Sequence, residues 1–330
     1  MLKKLLIAPS ASDLFGVLKD VSRSFYISVR FLPKRIRLTI ALGYLLARAS
    51  DTIADTNGME PQSRIEFLGR FLAAICKTDS HATLEFSFFL ARQSEGSEKT
   101  LLLNINRILR SLATVSPQHR ELLAEVLSKI IHGQTLDIER FEMHPGIHGL
   151  PDDDSLDEYT YLVAGSVGEF WAKLCLLEWR GYSGLPAEKL LEQGREFGQG
   201  LQLINILRDF PNDLRQKRSY LPITNLYEVV ADPNLARAEW ERWRQRAFGN
   251  LNAGWGYVDS IRPPRVRFAC AVPLFIGVRT LTMLGSQCEL RPGIKIPRGE
   301  VRELMSWAVA LAWVPFFKKY IARKICRGWR

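Results

Sequence analysis

Apolar side chains recur along most of this chain at intervals of three and four residues, the spacing of one helix face. The pattern predicts long helices over residues 63–77, 121–141, 187–210 and 300–325. No convincing run alternates apolar and polar residues between turn residues, as half-buried strands do. Residues 40–50 and 200–209 are apolar on nearly every face, so we expect these helices at the centre of the fold. The sequence therefore predicts an all-α protein with a single domain over residues 1–330.

The composition is that of a globular protein with excess positive charge, because Lys and Arg outnumber Asp and Glu by 10. A basic surface attracts nucleic acid, membrane phosphate or small phosphorylated substrates. No nucleic-acid-binding motif appears, so nucleic acid is not expected as a partner. The apolar run at 304–317 contains Pro315 and is too short to span a bilayer. Five cysteines at 76, 175, 270, 288 and 326 predict buried thiols in a reducing, cytoplasmic location.

Two pairs of aspartates interrupt apolar helical stretches. Asp51 and Asp55 lie four residues apart in "ASDTIADT", and Asp209 and Asp213 repeat that spacing in "LRDFPNDL". Like charges one helical turn apart repel each other, and burial without a counter-charge costs far more. Carboxylates bridging to substrate phosphates are typical ligands of Mg²⁺. The two pairs therefore predict a magnesium site that binds a phosphorylated substrate.

Polar neighbours strengthen this interpretation. Gln202 and Asn205 share a helix face with Asp209 and Asp213, at i, i+3, i+7 and i+11. Arginines suited to phosphates accompany both pairs, at positions 48, 208 and 218. A solvated helix face would explain one such pair, but two pairs in apolar helices favour diphosphate chemistry. Apolar walls around such a site point to prenyl diphosphates.

Several segments in order resemble the squalene and phytoene synthase family. They are "VSRSFYISVRFLP", "YLLARASDTIADT", "EYTYLVAGSVGEFW" and "LQLINILRDFPNDLRQKRSYLP". Two further segments, "FACAVPLFIGVRTLTML" and "GIKIPRGEVRELM", look closer to squalene synthases than to phytoene synthases. The resemblance covers about residues 20–320 and implies an isoprenoid synthase-type helical bundle around a central cavity. A C-terminal membrane anchor of the eukaryotic kind is not apparent, which favours the bacterial type of squalene synthase.

The resemblance assigns roles to individual residues. The implied metal ligands are Asp51, Asp55, Asp209, Asp213 and Asn205, and these four aspartates with Tyr159 are the implied catalytic residues. The implied substrate-binding residues are Ser22, Arg23, Ser24, Tyr44, Arg48, Gln202, Asn205 and Arg218. Lys295 and Arg298 are candidates for contacting the phosphate of NADPH. Pro211 lacks a backbone donor and predicts a kink between the two aspartates of the second pair.

The implied activity is that of a magnesium-dependent prenyltransferase. It joins two molecules of farnesyl diphosphate head to head through presqualene diphosphate, and reduction with NADPH then gives squalene. The need for NADPH comes from the resemblance alone, since no G-x-G-x-x-G motif follows a strand. Dehydrosqualene, phytoene and presqualene diphosphate synthases stay open as alternatives, as does a non-catalytic assembly factor. We expect a monomer whose basic C-terminus contacts the inner face of a membrane.

Overall fold

The computed structural model describes residues 11–77, 84–93, 95–143, 145–286, 290–314 and 320–321. Helices make up nearly all the regular structure within these residues, which confirms the predicted all-α class. Contacts divide the chain into two compact units, Met1–Met143 and His144–Arg330. The single domain over residues 1–330 stays a prediction.

In the described part of the first unit, all the regular structure is helical. Its helices are α1 (Ala11–Val21), α2 (Arg23–Phe31), α3 (Lys34–Ala54), α4 (Pro61–Lys77), α5 (Ser87–Arg92), α6 (Ser97–Ser111) and α7 (Pro117–Glu142). A short 3₁₀ turn, Leu112–Thr114, follows α6. The helix predicted over 63–77 is α4, and the one predicted over 121–141 is α7.

Helix α3 is the central helix of this unit, as its apolar sequence predicted. Most of its residues from Ile36 to Ala54 are buried, and α1, α4, α6 and α7 pack around it. Helix α7 begins where the Ser116 hydroxyl accepts the His119 backbone N–H at 3.3 Å. The His119 ring then hydrogen-bonds Thr39 of α3 at 2.7 Å. This buried contact fixes α7 against the helix that carries the first aspartate pair.

The second unit contains longer helices and one very short pair of strands. Its elements are β1 (His148–Gly149), α8 (Asp153–Thr160), α9 (Ser166–Glu178), α10 (Ala187–Arg215), β2 (Arg218–Ser219), α11 (Leu226–Ala231), α12 (Arg237–Ser260), α13 (Pro264–Gly285) and α14 (Arg298–Trp313). A π-helical segment, Tyr161–Gly165, joins α8 to α9, and a 3₁₀ turn, Pro233–Ala236, precedes α12. Strands β1 and β2 pair in parallel, a feature that the sequence pattern did not predict.

Helix α10 is the centre of the second unit and carries the second aspartate pair. It packs against α9, α12 and α13, and residues 203–204, 206–207 and 210–211 along it are buried. The helix predicted over 187–210 is therefore present and extends five residues further. The helix predicted over 300–325 is α14, but its α-helical run ends at Trp313. The prediction was wrong there because Val314 precedes Pro315, and proline disfavours helical backbone in the residue before it.

One described helix, α13, is long and apolar enough to cross a bilayer by length and composition, although 72% of its apolar window is buried inside the protein. Such burial is typical of a core helix in a globular fold. Cys175 and Cys270 are buried free thiols as predicted, whereas Cys76 is exposed, which corrects the prediction for that residue. The predicted burial of Cys288 and Cys326 falls outside the described residues.

Candidate active site

The first aspartate pair lies at the end of α3. Asp51 keeps 43% of its side-chain surface accessible, while the residues on either side of it, Ser50 and Thr52, are buried. Asp55 is exposed and caps the helix C-terminus, where its backbone N–H bonds the carbonyl of Asp51 at 2.8 Å. A carboxylate is electrostatically unfavourable at a helix C-terminus because the helix dipole is negative there. Both aspartates therefore occupy positions that favour a nearby cation.

The Asp51 carboxylate is short of compensating charge. Burial among surrounding protein atoms is the largest cause that raises its pKa, to about 6, and the neighbouring charge of Asp55 raises it further. Arg48 lowers the pKa, but its Nη1 atom lies 3.9 Å from Asp51 Oδ2, too far for a hydrogen bond. The carboxylate thus lies in a recess that is crowded by protein yet open to solvent. A cation of higher charge would stabilise its ionised form.

Two residues that the sequence did not point to complete this half of the site. The buried Gln134 amide of α7 donates to Asp51 Oδ1, and its own Oε1 has no hydrogen-bond partner. Glu98 of α6 accepts a hydrogen bond from Arg48 Nη2 at 2.7 Å. They lie 83 and 50 residues from their partners in sequence, so no local spacing could have indicated either contact.

A buried arginine supports the end of α3. The Arg64 guanidinium is 4% exposed, donates to the carbonyl of Ala54 and pairs with Glu142 of α7. A cation at this position complements the negative end of the helix dipole. Arg64 therefore fixes the last turn of α3, immediately before Asp55, and was also missed by sequence reasoning.

The opening segment of the predicted substrate site lies on α2. Ser22 is the N-cap of this helix, and its hydroxyl accepts the backbone N–H of Phe25 at 3.4 Å. The Phe25 ring stacks on Tyr44 of α3 with centroids 4.2 Å apart, which brings Ser22 and Tyr44 into one region. The side chains of Arg23 and Ser24 lie outside the described residues.

The second aspartate pair lies on α10. Both oxygens of Asp209 accept hydrogen bonds from Arg208, at 2.9 Å from Nε and 2.6 Å from Nη2. One turn earlier, the amide of Asn205 donates weakly to Gln202 Oε1 at 3.4 Å. Gln202, Asn205 and Asp209 are all at least partly accessible, so the predicted polar stripe is present on this helix.

Asp213 differs from the other three aspartates because it is buried, with 9% of its side chain accessible. Burial raises the pKa of this carboxyl, and the nearby charge of Asp209 raises it further. Arg218 opposes both effects by donating its Nε–H to Asp213 Oδ1 at 3.0 Å. The structure thus places Arg218 beside the second pair, and its predicted contact with diphosphate stays a prediction.

The chain turns sharply between Asp213 and Arg218. Helix α10 continues through Pro211 to Arg215, so the proline does not end the helix, although the predicted kink stays a prediction. Lys217 then adopts a left-handed conformation with φ 60°, a position that glycine usually fills after a helix. This turn reverses the chain, so that β2 pairs with β1 and Arg218 returns to Asp213.

Tyr159 belongs to the same half of the site. Its ring stacks on Tyr220 with centroids 4.8 Å apart, and the Arg218 guanidinium lies 5.6 Å from the Tyr220 ring centre. The structure thus brings Tyr159, Arg218 and Asp213 together through Tyr220. Sequence reasoning missed Tyr220, although its position two residues after Arg218 in the second motif was a usable signal.

A π-helical segment follows Tyr159 directly. It covers Tyr161–Gly165 and lies within an otherwise continuous helix from Asp153 to Glu178. Such π segments are uncommon and frequently mark functional sites, because they displace the following side chains relative to a regular helix. The segment contains the "VAG" of the motif "EYTYLVAGSVGEFW", which indicates that this irregularity belongs to the site.

Glycines allow this region to approach α10 closely. A Cβ on Gly168 would lie 1.9 Å from the carbonyl oxygen of Gly194, and one on Gly198 would lie 2.2 Å from that of Ala164. Neither distance is possible for a real side chain, so the two backbones meet directly. Small residues thus permit close helix packing here.

A family model described as squalene/phytoene synthase matches residues 18–300, which is most of this chain. The chain belongs to the squalene/phytoene synthase family. The squalene synthase of Eremothecium gossypii is 26% identical over 301 residues, which make up 86% of this chain and 65% of that protein. The chain therefore spans less than two thirds of that relative's length.

Solved structures agree with this family membership. The structure of TcSQS with the ligand E5700 has a TM-score of 0.75 at 20% identity, covering 94% of this chain and 89% of that chain. The crystal structure of a dehydrosqualene synthase has a TM-score of 0.62 at 19% identity, covering 90% and 94%. Both likenesses concern the fold, and they confirm the predicted isoprenoid synthase-type helical fold.

The acidic residues of this squalene/phytoene synthase family member suit a hard divalent cation. Oxygen donors with few protein ligands are typical of Mg²⁺, which keeps waters and binds substrate phosphates. Within the described residues, no cluster unites three or more His, Cys, Asp or Glu side chains. The under-compensated Asp51 carboxylate fits such a cation best, whereas Asp209 and Asp213 already accept hydrogen bonds from arginines.

The two residues predicted to contact a nucleotide phosphate lie apart from these motifs in sequence. Lys295 is exposed in the irregular segment before α14, and Arg298 is the exposed first residue of that helix. Arg279 of α13 pairs with Glu300 in the same turn. The start of α14 is thus basic and accessible. The role of Lys295 and Arg298 in binding a nucleotide phosphate stays a prediction.

Proposed function

We propose that this chain condenses two molecules of farnesyl diphosphate head to head to presqualene diphosphate and reduces that intermediate to squalene. The observation that carries the proposal is the Asp51 carboxylate on an apolar helix, because burial raises its pKa and its ion-pair partner Arg48 stays 3.9 Å away, beyond hydrogen-bond distance. A second aspartate pair on α10 repeats the pattern. Membership of the squalene/phytoene synthase family supplies the reaction class.

In this proposal the protein first binds and ionises a prenyl diphosphate. Asp51, Asp55, Asp209, Asp213 and Asn205 would hold Mg²⁺, which neutralises the charge of the departing diphosphate when it is bound. Arg48 and Arg218 would contact diphosphate oxygens as bidentate donors, and Ser22, Tyr44 and Gln202 would position the same groups. Arg23 and Ser24 join this set by sequence, although their side chains lie outside the described residues.

Tyr159 is proposed to relay the proton lost when the cyclopropane ring closes. Its stacking on Tyr220 and the nearby Arg218 guanidinium support this assignment, because they hold the ring beside the diphosphate-binding arginine. Apolar side chains around the site would exclude water, which would otherwise convert the cation to an alcohol.

The final step requires a hydride, and we propose NADPH as its source. Lys295 and Arg298 are the proposed contacts for its extra phosphate because both are accessible and basic. The alternative is an enzyme that ends at presqualene diphosphate or loses a proton to give dehydrosqualene, or one that joins C20 substrates to phytoene. An assembly factor without activity is disfavoured because all four aspartates are retained.

The test is an assay of products with purified protein, Mg²⁺ and farnesyl diphosphate, analysed by gas chromatography with and without NADPH. We expect squalene with NADPH, and dehydrosqualene or hydroxylated products without it. Equal formation of dehydrosqualene under both conditions, with no squalene, would contradict the reductase step and leave the condensation intact. Geranylgeranyl diphosphate replaces farnesyl diphosphate in a parallel reaction, where efficient phytoene formation would favour the C20 alternative.

The setting of the enzyme is part of the same proposal. We propose that the protein is a cytoplasmic monomer. Peripheral contact with a membrane would let it release its apolar product into the bilayer. The basic C-terminal residues on which this prediction was based, from Lys318 onward, lie outside the described residues apart from residues 320–321.

A further inference from the structure

The last turns of α14 expose apolar side chains to solvent. Val309, Trp313 and Val314 are 47%, 48% and 45% exposed. Val309 and Trp313 are four residues apart and therefore share a helix face. Earlier on this face, the exposed residues are Arg302 and Ser306. The exposed face is thus polar where α14 begins and apolar where its helical run ends. General exposure of the helix therefore does not explain the apolar residues at its end.

The start of α13 lies against this apolar end. Arg267 donates from Nε to the carbonyl of Ile261 at 2.7 Å and from Nη1 to the carbonyl of Ala312 at 3.4 Å. Phe268, the next residue, has its ring 6.2 Å from that of Trp313. These contacts bring the residues around the α12–α13 turn next to the end of α14.

Exposed arginines surround the same place. Arg262 lies in the turn between α12 and α13, and Arg265 lies in the first turn of α13. Both are exposed, and Arg267 links this region to α14 by its hydrogen bond to Ala312. The Arg262 guanidinium also lies near Gly181, whose neighbour Arg180 is exposed. Asp259 is an acidic group of the same region and interacts with Arg267. Arg262 and Arg265 therefore place two exposed cations beside the turn that contacts the apolar end.

The sequence beyond this point has the same character. Residues 304–330 contain no Asp or Glu, and six of them are Lys or Arg, at positions 318, 319, 323, 324, 327 and 330. This is a statement about composition, since most of those residues lie outside the described structure. It extends the positive charge that the described arginines establish.

We propose that this surface, called the α14 tip and defined by Val309, Trp313, Val314, Arg180, Arg262 and Arg265, docks on an anionic lipid bilayer. Tryptophan prefers the boundary between headgroups and acyl chains, and arginines nearby attract anionic headgroups. Stable peripheral binding requires two such signals together. A second copy of the chain is disfavoured as the occupant because identical arginine-ringed surfaces would repel. The proposal rests on the peripheral membrane contact proposed above, for which it names the surface, and it does not depend on the proposed reaction.

The experiment is flotation of the full chain with vesicles, without substrate or metal. Vesicles of phosphatidylcholine with 30% phosphatidylglycerol, roughly the anionic content that gives a substantial surface potential, are compared with pure phosphatidylcholine. We expect binding to the anionic vesicles that weakens with salt. Trp313→Ser should reduce the partition coefficient about tenfold, and Arg262→Gln with Arg265→Gln about fivefold per arginine.

Matched controls remove similar groups elsewhere. Tyr227→Ser deletes an aromatic ring that is 74% exposed on α11, and Lys34→Gln with Lys77→Gln deletes two exposed cations of the first unit. Both controls should bind vesicles as the unaltered chain does. If Trp313→Ser does not fold, Val314→Ser replaces it, with a smaller loss expected.

Several outcomes would overturn the proposal. They are no binding of the unaltered chain to anionic vesicles, unchanged binding of the α14-tip variants, or equal loss in the controls. Unchanged binding of those variants would place the contact in residues beyond Ile321 instead. The last measurement is sedimentation without lipid. Self-association that Trp313→Ser abolishes would show that the α14 tip binds a second copy of the chain instead.

Discussion

At the scale of single residues, sequence spacing identified the charges but not their partners. The four aspartates follow from the repeated four-residue interval, since a helix places such residues on one face. Gln134, Glu98 and Arg64 reach the first pair from other helices, and only the tertiary fold brings them there. Sequence reasoning of this kind therefore finds groups that share a helix and misses the groups that face them.

Asp51→Asn should remove most of the activity without weakening the fold. We expect turnover to fall at least roughly a hundredfold, because metal-assisted neutralisation of a leaving diphosphate contributes several kcal/mol. The asparagine keeps the shape and can still bond Gln134, while it removes a charge that burial and Asp55 both oppose. Turnover of farnesyl diphosphate and the thermal midpoint of the metal-free protein measure the two effects. Near-normal turnover would exclude the metal assignment.

The stability effect of this substitution should depend on pH. The folded pKa of Asp51 is raised to about 6 from an ordinary value of 3.8, so the folded state binds the proton more tightly. The charged carboxyl therefore lowers the stability of the folded state. This loss of stability is absent near pH 4, grows as the pH rises to 6 and is constant above pH 6. Asp51→Asn should match the unaltered chain near pH 4 and be more stable at pH 7. Asp153→Asn is the contrasting control, since Arg242 lowers the pKa of Asp153 and its neutralisation should destabilise at pH 7.

Tyr159→Phe should impair the first half-reaction more than the second. The variant keeps the ring that stacks on Tyr220 but loses the hydroxyl proposed to relay a proton. We expect at least roughly a hundredfold slower formation of presqualene diphosphate, the contribution usual for a positioned acid or base. Presqualene diphosphate supplied directly should react at a rate closer to normal. Tyr220→Phe retains the stacking and serves as control, and equal failure of Tyr159→Phe on both substrates would make its role structural.

At the scale of elements, periodicity predicted the existence of the long helices well and their ends poorly. Helices α4, α7 and α10 appear where three- and four-residue spacing placed them, because burial of one face decides helix formation. The end of α14 was misplaced, since apolar spacing continues past the proline that makes Val314 unfavourable in a helix. The π segment at Tyr161–Gly165 carries no periodic signal and could not have been predicted.

Helices α9 and α10 cross with their backbones in direct contact, and a substitution at the crossing tests this contact. Gly168→Ala would place a methyl group 1.9 Å from the Gly194 carbonyl oxygen, so the backbones must separate, and we expect a loss of more than roughly 3 kcal/mol. Gly249→Ala is the matched control on α12, where nothing lies within 4 Å, and it should gain roughly 0.5–1 kcal/mol. Unfolding midpoints and soluble yield compare the two variants. A Gly168→Ala protein as stable as Gly249→Ala would contradict the direct backbone contact.

At the scale of the whole molecule, the two aspartate pairs belong to different compact units, with Asp51 in the first and Asp209 in the second. The assignment of both pairs to one metal–diphosphate cluster belongs to the proposed function. In that proposal, the two hydrogen bonds from Arg208 to the oxygens of Asp209 must give way to a diphosphate-bound cation. The proposed function thus predicts that the two pairs act as one ligand set rather than as independent sites.

A double-mutant cycle tests this joint action. Asp51→Glu and Asp209→Glu keep the charge but shift the oxygens, so each should retain measurable turnover. If both residues serve one metal–diphosphate cluster, the double variant should lose much less than the product of the single losses. Binding gives an independent measurement, because Mg²⁺ with inorganic diphosphate should raise the thermal midpoint of the unaltered chain. Asp51→Asn and Asp209→Asn should each abolish that rise. Strictly multiplicative losses of turnover in the cycle, together with a full rise of the thermal midpoint in either variant, would show that the two aspartate pairs act separately.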